Sequence, residues 1–389
     1  MIRALKLGPF AVLFAWLAFV LAPGEARADD LSYKLQGESS GYKDTDAVNV
    51  LTEGAHAEIS GVTTGWSIGG GVLVDVVTAA STDIVSTASP KWTDVRVAPA
   101  LSGHFRVGDT TLSLAADASV ESDYYSGSGT AGVAVDLRDK SITPAFTYGF
   151  AYDVAGRRQT PLSVYALSSQ QHTFDAAVTF VVNASTIIVP SLRVVVELGD
   201  MEKPYRYLPT FAAADAGIGP GAPRDRVDAV RTGVRLSESV PDLRHRYALS
   251  ALLAHRFHHT TLRVEQRLYA DSWWLVATTT DMTLPTDFGG IYRIWPHFRL
   301  HAQSGVSFWE RAYVVKESAQ GLVVPNLRVG DPELGPIVAG TGGVGFRVGG
   351  DRLGLTTTVD AIYTRFLDHL YTRARVGGLA SVVFDVEIE

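Results

Sequence analysis

Apolar and polar side chains alternate along most of this chain, and this period of two constrains its fold more than any other feature. Between residues 292 and 303, the even positions are apolar or aromatic, while the odd positions carry Arg, Trp, His and Gln side chains. Residues 110–121, 142–153 and 262–269 alternate in largely the same way. Since successive side chains of a β-strand point to opposite faces, this pattern predicts strands with one apolar and one polar face.

Turn signals separate these strands, and short and long turns alternate along the chain. Short turns such as residues 107–109 and 138–140 contrast with long connections such as residues 154–168, 201–243 and 305–336. Short periplasmic turns and long extracellular loops are typical of outer-membrane barrels. The sequence therefore predicts an all-β fold, a transmembrane antiparallel β-barrel of about sixteen strands.

The predicted strands return the chain end to the side from which it started, because their number is even. Residues 226–239, within the longest loop, are the place where a further hairpin would fit. The strands are residues 31–38, 45–60, 65–78, 92–107, 110–122, 129–137, 141–153, 170–183, 186–199, 244–257, 260–273, 274–285, 290–304, 337–349, 353–366 and 373–388.

Two properties of these strands favour a membrane barrel over a soluble β-sandwich. Their apolar faces often run for five or six positions, which suits the roughly nine to eleven residues of a tilted membrane strand. Their polar faces mix small residues with isolated charges, as a curved barrel interior requires. A sheet in lipid must also close, because lipid offers no partner to an edge strand. The alternative is a secreted or surface sandwich.

The first residues have the features of an export signal. Arg3 and Lys6 precede an apolar stretch at residues 7–22, and Ala26-Arg27-Ala28 supplies the small residues that signal peptidase accepts. We expect a signal peptide at residues 1–28, cleaved after Ala28, and a barrel domain at residues 29–389; the alternative is an uncleaved membrane anchor. The predicted location is the cell outer membrane, with outer-membrane lipid, periplasmic chaperones and the outer-membrane assembly machinery as partners.

Composition excludes several classes of protein. The chain has 34 Lys and Arg against 41 Asp and Glu, a net charge of -7, so it lacks the basic surplus that supports nucleic-acid binding. Without cysteine it can form no disulfide, thiolate metal site or cysteine nucleophile. An apolar fraction of 46% argues against disorder.

Several tracts resemble a bacterial family known only as the domain of unknown function number thirty-five-seventy. They are residues 74–81 (VDVVTAAS), 87–90 (TASP), 203–209 (KPYRYLP), 267–273 (RLYADSW) and 301–309 (HAQSGVSFW). The resemblance covers nearly all of the chain after residue 28 and implies an outer-membrane barrel of Gram-negative bacteria. It brings no activity and therefore no catalytic residue.

Two motifs suggest ligands but have simpler explanations. Residues 340–345 fit the pattern G-x-G-x-x-G, which binds a dinucleotide only where it opens a helix, and here a strand continues, so we expect no cofactor. His297 and His301 would stand about 13 Å apart on a strand, too far to share a metal ion, so we expect no metal. The sequence contains neither a G-x-S-x-G elbow nor an H-E-x-x-H motif.

Charge on the predicted inward faces is the strongest functional signal. A basic wall on residues 260–273 and 290–304 comprises Arg263, Arg267, Arg293, His297, Arg299 and His301. An acidic wall on the four strands between residues 110 and 183 comprises Asp117, Glu121, Asp136, Asp153 and Asp175. The walls would lie roughly opposite, and their field would orient small polar solutes in the lumen. The alternative is that these groups pair with each other and fill a sealed interior.

The long loop at residues 201–243 bears on this choice, because such loops are usually functional or disordered. Its basic residues Lys203, Arg206, Arg224 and Arg226 would form a constriction against the acidic wall if the loop folded inward; a plain surface loop is the alternative. The sequence thus predicts a porin-like passive channel for small polar solutes. A closed structural or partner-binding barrel is the first alternative. A barrel enzyme, marked by a compact pair of titratable groups at the outer rim, is the second.

Overall fold

The computed structural model describes residues 31–61, 63–79, 92–212, 217–319, 321–350 and 352–388. The predicted signal peptide, its cleavage site at Ala28 and most of the connection at residues 79–91 lie outside these ranges. The described chain forms a closed antiparallel barrel whose extracellular end carries a folded cap.

The strands of the barrel and of the cap are numbered together in chain order. They are β1 (Leu31–Asp44), β2 (Asn49–Gly61), β3 (Trp66–Ala79), β4 (Trp92–Val107), β5 (Thr110–Val120), β6 (Tyr124–Val135), β7 (Ile142–Ala155), β8 (Leu167–Asn183), β9 (Thr186–Gly199), β10 (Tyr207–Phe211), β11 (Arg235–Ser237), β12 (Leu243–Phe257), β13 (Thr260–Asp271), β14 (Val276–Thr283), β15 (Thr286–Phe288), β16 (Tyr292–Gln303), β17 (Tyr313–Val314), β18 (Lys316–Ser318), β19 (Gly321–Val323), β20 (Ile337–Gly349), β21 (Leu353–Phe366) and β22 (Ala374–Ile388).

The barrel closes because β1 pairs with β2 on one side and with β22 on the other. Its sixteen strands are β1–β9, β12, β13, the joined pair β14 and β15, β16 and β20–β22. Leu284 and Pro285 interrupt the joined strand between Thr283 and Thr286, where proline lacks the N–H that a strand ladder uses.

This architecture confirms the predicted fold and its sixteen strands. Each predicted strand coincides with one barrel strand, and the ends differ by a few residues. The largest differences are in β1, which continues to Asp44, and in β6, which already begins at Tyr124. Extra pairing at a strand end leaves no trace in the alternation, because Gly and Ser residues populate both faces there.

Strand register decides which side chains meet lipid and which face the lumen. Leu101 and Leu114 are each 67% exposed on the outward face, while paired polar residues such as Asp75 and Arg96 lie on the inward face. Lone charges on the lipid face cost about 2–4 kcal/mol at the bilayer midplane, so the polar set belongs inside. None of the helices in the described part of the chain has the length and apolar character needed to cross a membrane.

Three extracellular connections build the cap, which we define as the described parts of residues 200–242, 304–336 and 367–373. Helix α1 (Arg224–Val230) and a 3-10 turn at Pro332–Leu334 lie in it. Strand β10 pairs with β11 of its own loop in antiparallel fashion and with β17 of the next loop in parallel fashion. These pairings tie two loops that are far apart in sequence.

The cap contains the main apolar core of the molecule. Phe211 and Val227 are fully buried there and pack with Ile218, Ala222, Ala312 and Leu370. A second cluster joins the cap to the top of the barrel and comprises Val240, Trp273, Leu275, Val306 and Val329. A barrel has little core of its own, because its apolar side faces lipid, so the cap supplies most of the buried apolar surface.

The hairpin considered for residues 226–239 is absent from the barrel, and that interpretation is wrong. Those residues contribute α1 and β11 to the cap instead. A helix of seven residues is shorter than the window in which helical periodicity can be recognised, so α1 could not be predicted from the sequence.

Candidate functional site: the charged lumen beneath the cap

The first long loop of the cap reaches across the outer mouth and is tied to loops on both sides. Near its start, the Tyr205 hydroxyl contacts the Asp123 carboxylate, and Arg157 donates to the Pro204 carbonyl at 3.2 Å. Farther along, Arg373 donates to the Pro220 carbonyl at 2.7 Å. The loop therefore bridges the mouth from the β5–β6 connection to the β21–β22 connection.

One buried and two half-buried charged groups hold the cap loops together. The Glu238 carboxylate, only 5% exposed, accepts hydrogen bonds from the backbone N–H groups of Lys203 and Gly330 at 3.0 and 2.9 Å. Arg206 pairs with Asp331 at 2.8 Å. Burial raises the pKa of Glu238. Burial acts in the same direction on Asp331, but the Arg206 guanidinium and the backbone N–H of Glu333 together outweigh it and lower the pKa of that carboxyl.

Glu238 and Asp331 both lie near Arg206 in the cap and are candidates for the compact pair of titratable groups that an enzyme at the rim would need. Their partners assign them another task, because both oxygens of Glu238 accept backbone N–H groups and Asp331 caps the turn that begins at Pro332. Both carboxylates thus fix loop geometry in the cap.

A cavity of about 690 Å³ lies between the cap and the lumen. Arg246, Arg267 and Arg299 of β12, β13 and β16 line one side of it, and Asp153 of β7 lines another. The cap covers it with residues that include 200–204, Glu238 and Asp331. Residues from strands on different sides of the ring therefore meet around one chamber.

A larger cavity of about 1080 Å³ opens at the mouth, on the side of β4–β7. Its acidic residues are Asp94, Glu121 and Asp123. Burial, with repulsion from Asp94, raises the pKa of Glu121. This mouth cavity and the chamber beneath the cap share Tyr124, Ala155, Lys203 and Pro204 in their walls, so the two spaces adjoin at the segment that Tyr205 tethers.

A third cavity of about 410 Å³ lies lower in the lumen. Its walls include Arg263, Glu265, Asp281, Arg293 and Arg347. Glu265 and Asp281 are register partners on β13 and β14. The next inward pair above them is Arg267 and Thr279, which line the chamber. The three cavities thus follow one another from the mouth into the lumen.

The arginines of the predicted basic wall face the lumen on β13 and β16, and most have an acidic neighbour. Arg263 lines the lower cavity. The ion pairs of the others are Arg267–Glu265 at 3.2 Å, Arg293–Asp287 at 2.5 Å and Arg299–Asp281 at 3.8 Å.

The two histidines of that wall have separate partners. The Nδ1 atom of His297 lies 2.7 Å from an Asp360 oxygen, and its Nε2 atom lies 3.3 Å from an Asp281 oxygen. His301 bonds to Thr279 at 2.8 Å and to Gln303 at 3.0 Å. Across the described ranges, no group of three or more His, Cys, Asp or Glu side chains is arranged to hold a metal ion.

The predicted acidic wall also faces inward, and its members are engaged locally. Glu121 lines the mouth cavity just beyond β5. The contacts of the others are Asp136 with Arg106 at 2.6 Å, Asp175 with Arg193 at 2.6 Å, Asp153 with Tyr124 at 2.7 Å and Asp117 with Ser128 at 2.5 Å. The ion pairs of Asp136 and Asp175 neutralise part of the acidic wall and weaken the field between the walls, whereas the neutral hydroxyls leave the charges of Asp153 and Asp117 in place.

The ion-pair partners of these charges were not predicted from the sequence; among them are Arg106, Arg193, Asp281 and Asp287. All four occupy inward positions or adjoin them, so alternation could have found them. Which charged residues pair depends on the register between neighbouring strands, and alternation within one strand does not determine this register.

The four residues of the predicted constriction loop have different surroundings. Lys203 lines both the mouth cavity and the chamber beneath the cap. Arg206 pairs with Asp331 inside the cap, and Arg224 pairs with Asp228 along α1 at 3.5 Å. Arg226 is exposed on the same helix. The ion pairs of these arginines are made within the cap, and Lys203 is the member that reaches the lumen.

Comparison with known proteins adds a family and a set of similar folds. The model of the family described as protein of unknown function (DUF3570) matches residues 54–350. Among curated proteins, none matches the sequence. The structure is similar to the siderophore receptor PirA from Pseudomonas aeruginosa, at 10% identity and a TM-score of 0.46, over 92% of this chain and 63% of the receptor.

Two further solved structures are similar to the chain to about the same degree. The outer membrane protein opdK from Pseudomonas aeruginosa is 8% identical, with a TM-score of 0.43, over 92% of this chain and 99% of that protein. CdiB from Acinetobacter baumannii is 7% identical, with a TM-score of 0.46, over 92% of this chain and 60% of that protein. The chain thus spans less than two thirds of the length of PirA and of CdiB.

Proposed function

The chain belongs to the DUF3570 family, which is described only as proteins of unknown function, and we propose from its geometry that it is a porin-like passive channel for small polar solutes. The observation that carries this proposal is the succession of three cavities from the mouth into the lumen. Their walls carry ionisable side chains, which keep such spaces hydrated.

Charge along this route supports polar solutes rather than apolar ones. Three acidic and three basic residues line the mouth cavity, and arginines with local acidic partners line the chamber and the lower cavity. Each pair leaves dipoles at the wall that can replace the hydration of a polar solute for part of its passage.

The segment at residues 203–205 lies where the mouth cavity and the chamber adjoin. The Tyr205 hydroxyl holds this segment through contacts with the Asp123 carboxylate and the backbone N–H of Arg158. Removing that hydroxyl loosens the segment without removing the ring, while the contacts of Arg157 with the Pro204 carbonyl and of Glu238 with the Lys203 N–H remain.

Single-channel recording in planar bilayers tests the proposal. The full chain should give discrete conductance steps, and Tyr205→Phe should give larger ones. Tyr125→Phe is the matched control, because Tyr125 is exposed on the outward face of β6. Full-length protein that inserts into the bilayer without any discrete conductance would refute the channel.

A closed or partner-binding barrel is the second candidate, and the cap favours it. Plain surface loops do not bury residues as completely as Phe211 and Val227 are buried here. If the full chain does not conduct and Tyr205→Phe does not conduct either, the closed barrel becomes the better description.

A further inference from the structure

The chamber beneath the cap offers groups of opposite charge to a single solute. Arg267 and Arg299 stand on strands of one side of the ring, while Asp153 stands on β7. These three residues come from walls that the sequence assigned to opposite sides of the lumen. The cap partly covers a single volume that all three residues line.

We propose that this chamber binds zwitterionic solutes that carry a carboxylate and an ammonium group, the chemical class of amino acids and short peptides. The carboxylate meets Arg267 and Arg299, and the ammonium group meets Asp153. The inference rests on the proposed channel only in that solute must reach the chamber from the mouth.

The two arginines are available to a solute carboxylate because their present ion pairs are partial. Each side chain is 49% exposed, and the contacts to Glu265 and Asp281 measure 3.2 and 3.8 Å. A guanidinium has five N–H donors in a fixed fork and can bind a second carboxylate with those left over.

Arg244 shows how a committed arginine differs. Its side chain is 11% exposed, pairs with the fully buried Asp271 and lies 4.2 Å above the Trp273 ring. That arginine is locked into the wall of the chamber. Arg267 and Arg299 are the flexible donors beside it.

The acidic side of the chamber supplies the other half of the site. One oxygen of Asp153 accepts the Tyr124 hydroxyl at 2.7 Å, which orients the carboxylate and leaves its second oxygen for a donor from the solute. The cap adds Asp200 and Glu202 to the same lining. An ammonium group therefore finds acceptors in the same chamber as the arginines.

Size and charge balance narrow the ligand class. A volume of about 690 Å³ lies in the range of small-molecule sites and holds more than a single amino acid. Because acids and bases both line the chamber, a purely anionic or cationic solute satisfies one side and is repelled by the other. A solute with both charges satisfies both.

Titration calorimetry on the full chain in detergent tests this with three tripeptides of equal length. Triglycine carries both charges, N-acetyltriglycine only the carboxylate, and triglycinamide only the ammonium group. Triglycine should bind about tenfold more tightly than either capped peptide, as expected for one charge-assisted contact.

Variants assign each half of the site. Arg267→Gln combined with Arg299→Gln should remove the advantage of triglycine over triglycinamide. Asp153→Asn should remove its advantage over N-acetyltriglycine. Arg263→Gln is the matched control, because Arg263 lines the lower cavity, and it should leave all three affinities unchanged.

Equal affinity for the three peptides, or no binding of triglycine at millimolar concentration, would overturn the proposal with the unmodified chain alone. The outcome is separable from that of the bilayer experiment. Conductance without discrimination among the peptides refutes the site and keeps the channel, and binding without conductance does the reverse.

Discussion

The barrel wall and the cap are built on opposite uses of apolar side chains. In the wall, residues such as Leu101 and Leu114 are largely exposed because their surroundings are lipid. The cap is surrounded by water, so its apolar side chains Phe211 and Val227 are fully buried. The wall is stabilised by a closed ladder of backbone hydrogen bonds, and the cap by burial of side chains from three loops.

This difference means that the two regions respond to different substitutions. A wall strand tolerates changes of size on its lipid face, since lipid adapts to them, and is sensitive where strands and inward side chains crowd together. The cap is sensitive wherever an apolar side chain is truncated.

Phe211→Ala should have the largest effect. Phe211 is fully buried in the cap core, and truncation of a buried Phe costs about 3–5 kcal/mol. Because the wall does not depend on this core, we expect the cap to open while the barrel persists. Hydrogen exchange should show faster exchange in residues 207–211 and 224–230, with β1–β9 unchanged.

Leu327→Ala is the matched control in the same cap, since Leu327 is 41% exposed and should cost little. On electrophoresis, an unheated folded barrel migrates differently from a heated, unfolded one. A Phe211→Ala variant that lost this difference would show that wall and cap fold as one unit. That result would end the distinction drawn here.

Gly343→Ala should have the next largest effect, this time in the wall. A Cβ atom at Gly343 would lie 2.0 Å from an Asp360 oxygen and 2.5 Å from the Val359 carbonyl. Overpacking of this kind costs about 1–3 kcal/mol. The thermal midpoint of barrel unfolding in detergent should fall.

Gly342→Ala is its neighbour on the lipid face, where a Cβ atom would meet nothing within 4 Å. It should leave the midpoint unchanged. If both substitutions lower the midpoint equally, β20 needs glycine for its backbone freedom. In that case crowding near the His297–Asp360 contact is not the reason for glycine at position 343.

These two regions also explain what could be predicted from the sequence. On β16, one strand's own alternation is enough to place Arg293 and Arg299 inward, because parity is a local property. The cap core joins Phe211 to Ala312 and Leu370 across more than a hundred residues. No local pattern encodes such contacts, and α1 is too short to show a period.

The candidate site divides in the same way. The inward positions of Arg267, Arg299 and Asp153 follow from alternation. That all three line one chamber depends on the cap that covers them, and their partial ion pairs depend on inter-strand register. The sequence therefore identified the residues and could not identify the cavity.

Acid should change cap stability in two opposing steps. Glu238 has a raised pKa, so the folded cap binds its proton more tightly than the unfolded chain, and stability rises as pH falls towards about 4.3. Asp331 has a lowered pKa, so its contribution to cap stability is present above about pH 3.9 and is lost as the pH falls further.

Fluorescence of the buried Trp273, followed against denaturant at several pH values, should therefore show maximal cap stability in mild acid. Glu238→Gln should remove the rise and Asp331→Asn the fall. A monotonic loss of stability from neutral pH downwards in the unmodified chain would contradict the role given to Glu238.

Asp228→Asn should have the smallest effect, although Asp228 contacts two arginines. Its pKa is lowered chiefly by the hydrogen bond from Arg231, and Arg224 lies 3.5 Å away. Because the carboxylate is 37% exposed, water screens both pairs, and about 0.5 kcal/mol is expected from pairs of this kind on a helix. Val227 in the core, one residue earlier, holds α1 in place. Hydrogen exchange of residues 224–230 should thus change only slightly, and exchange as fast as in Phe211→Ala would mean that charge, and not apolar burial, holds the cap together.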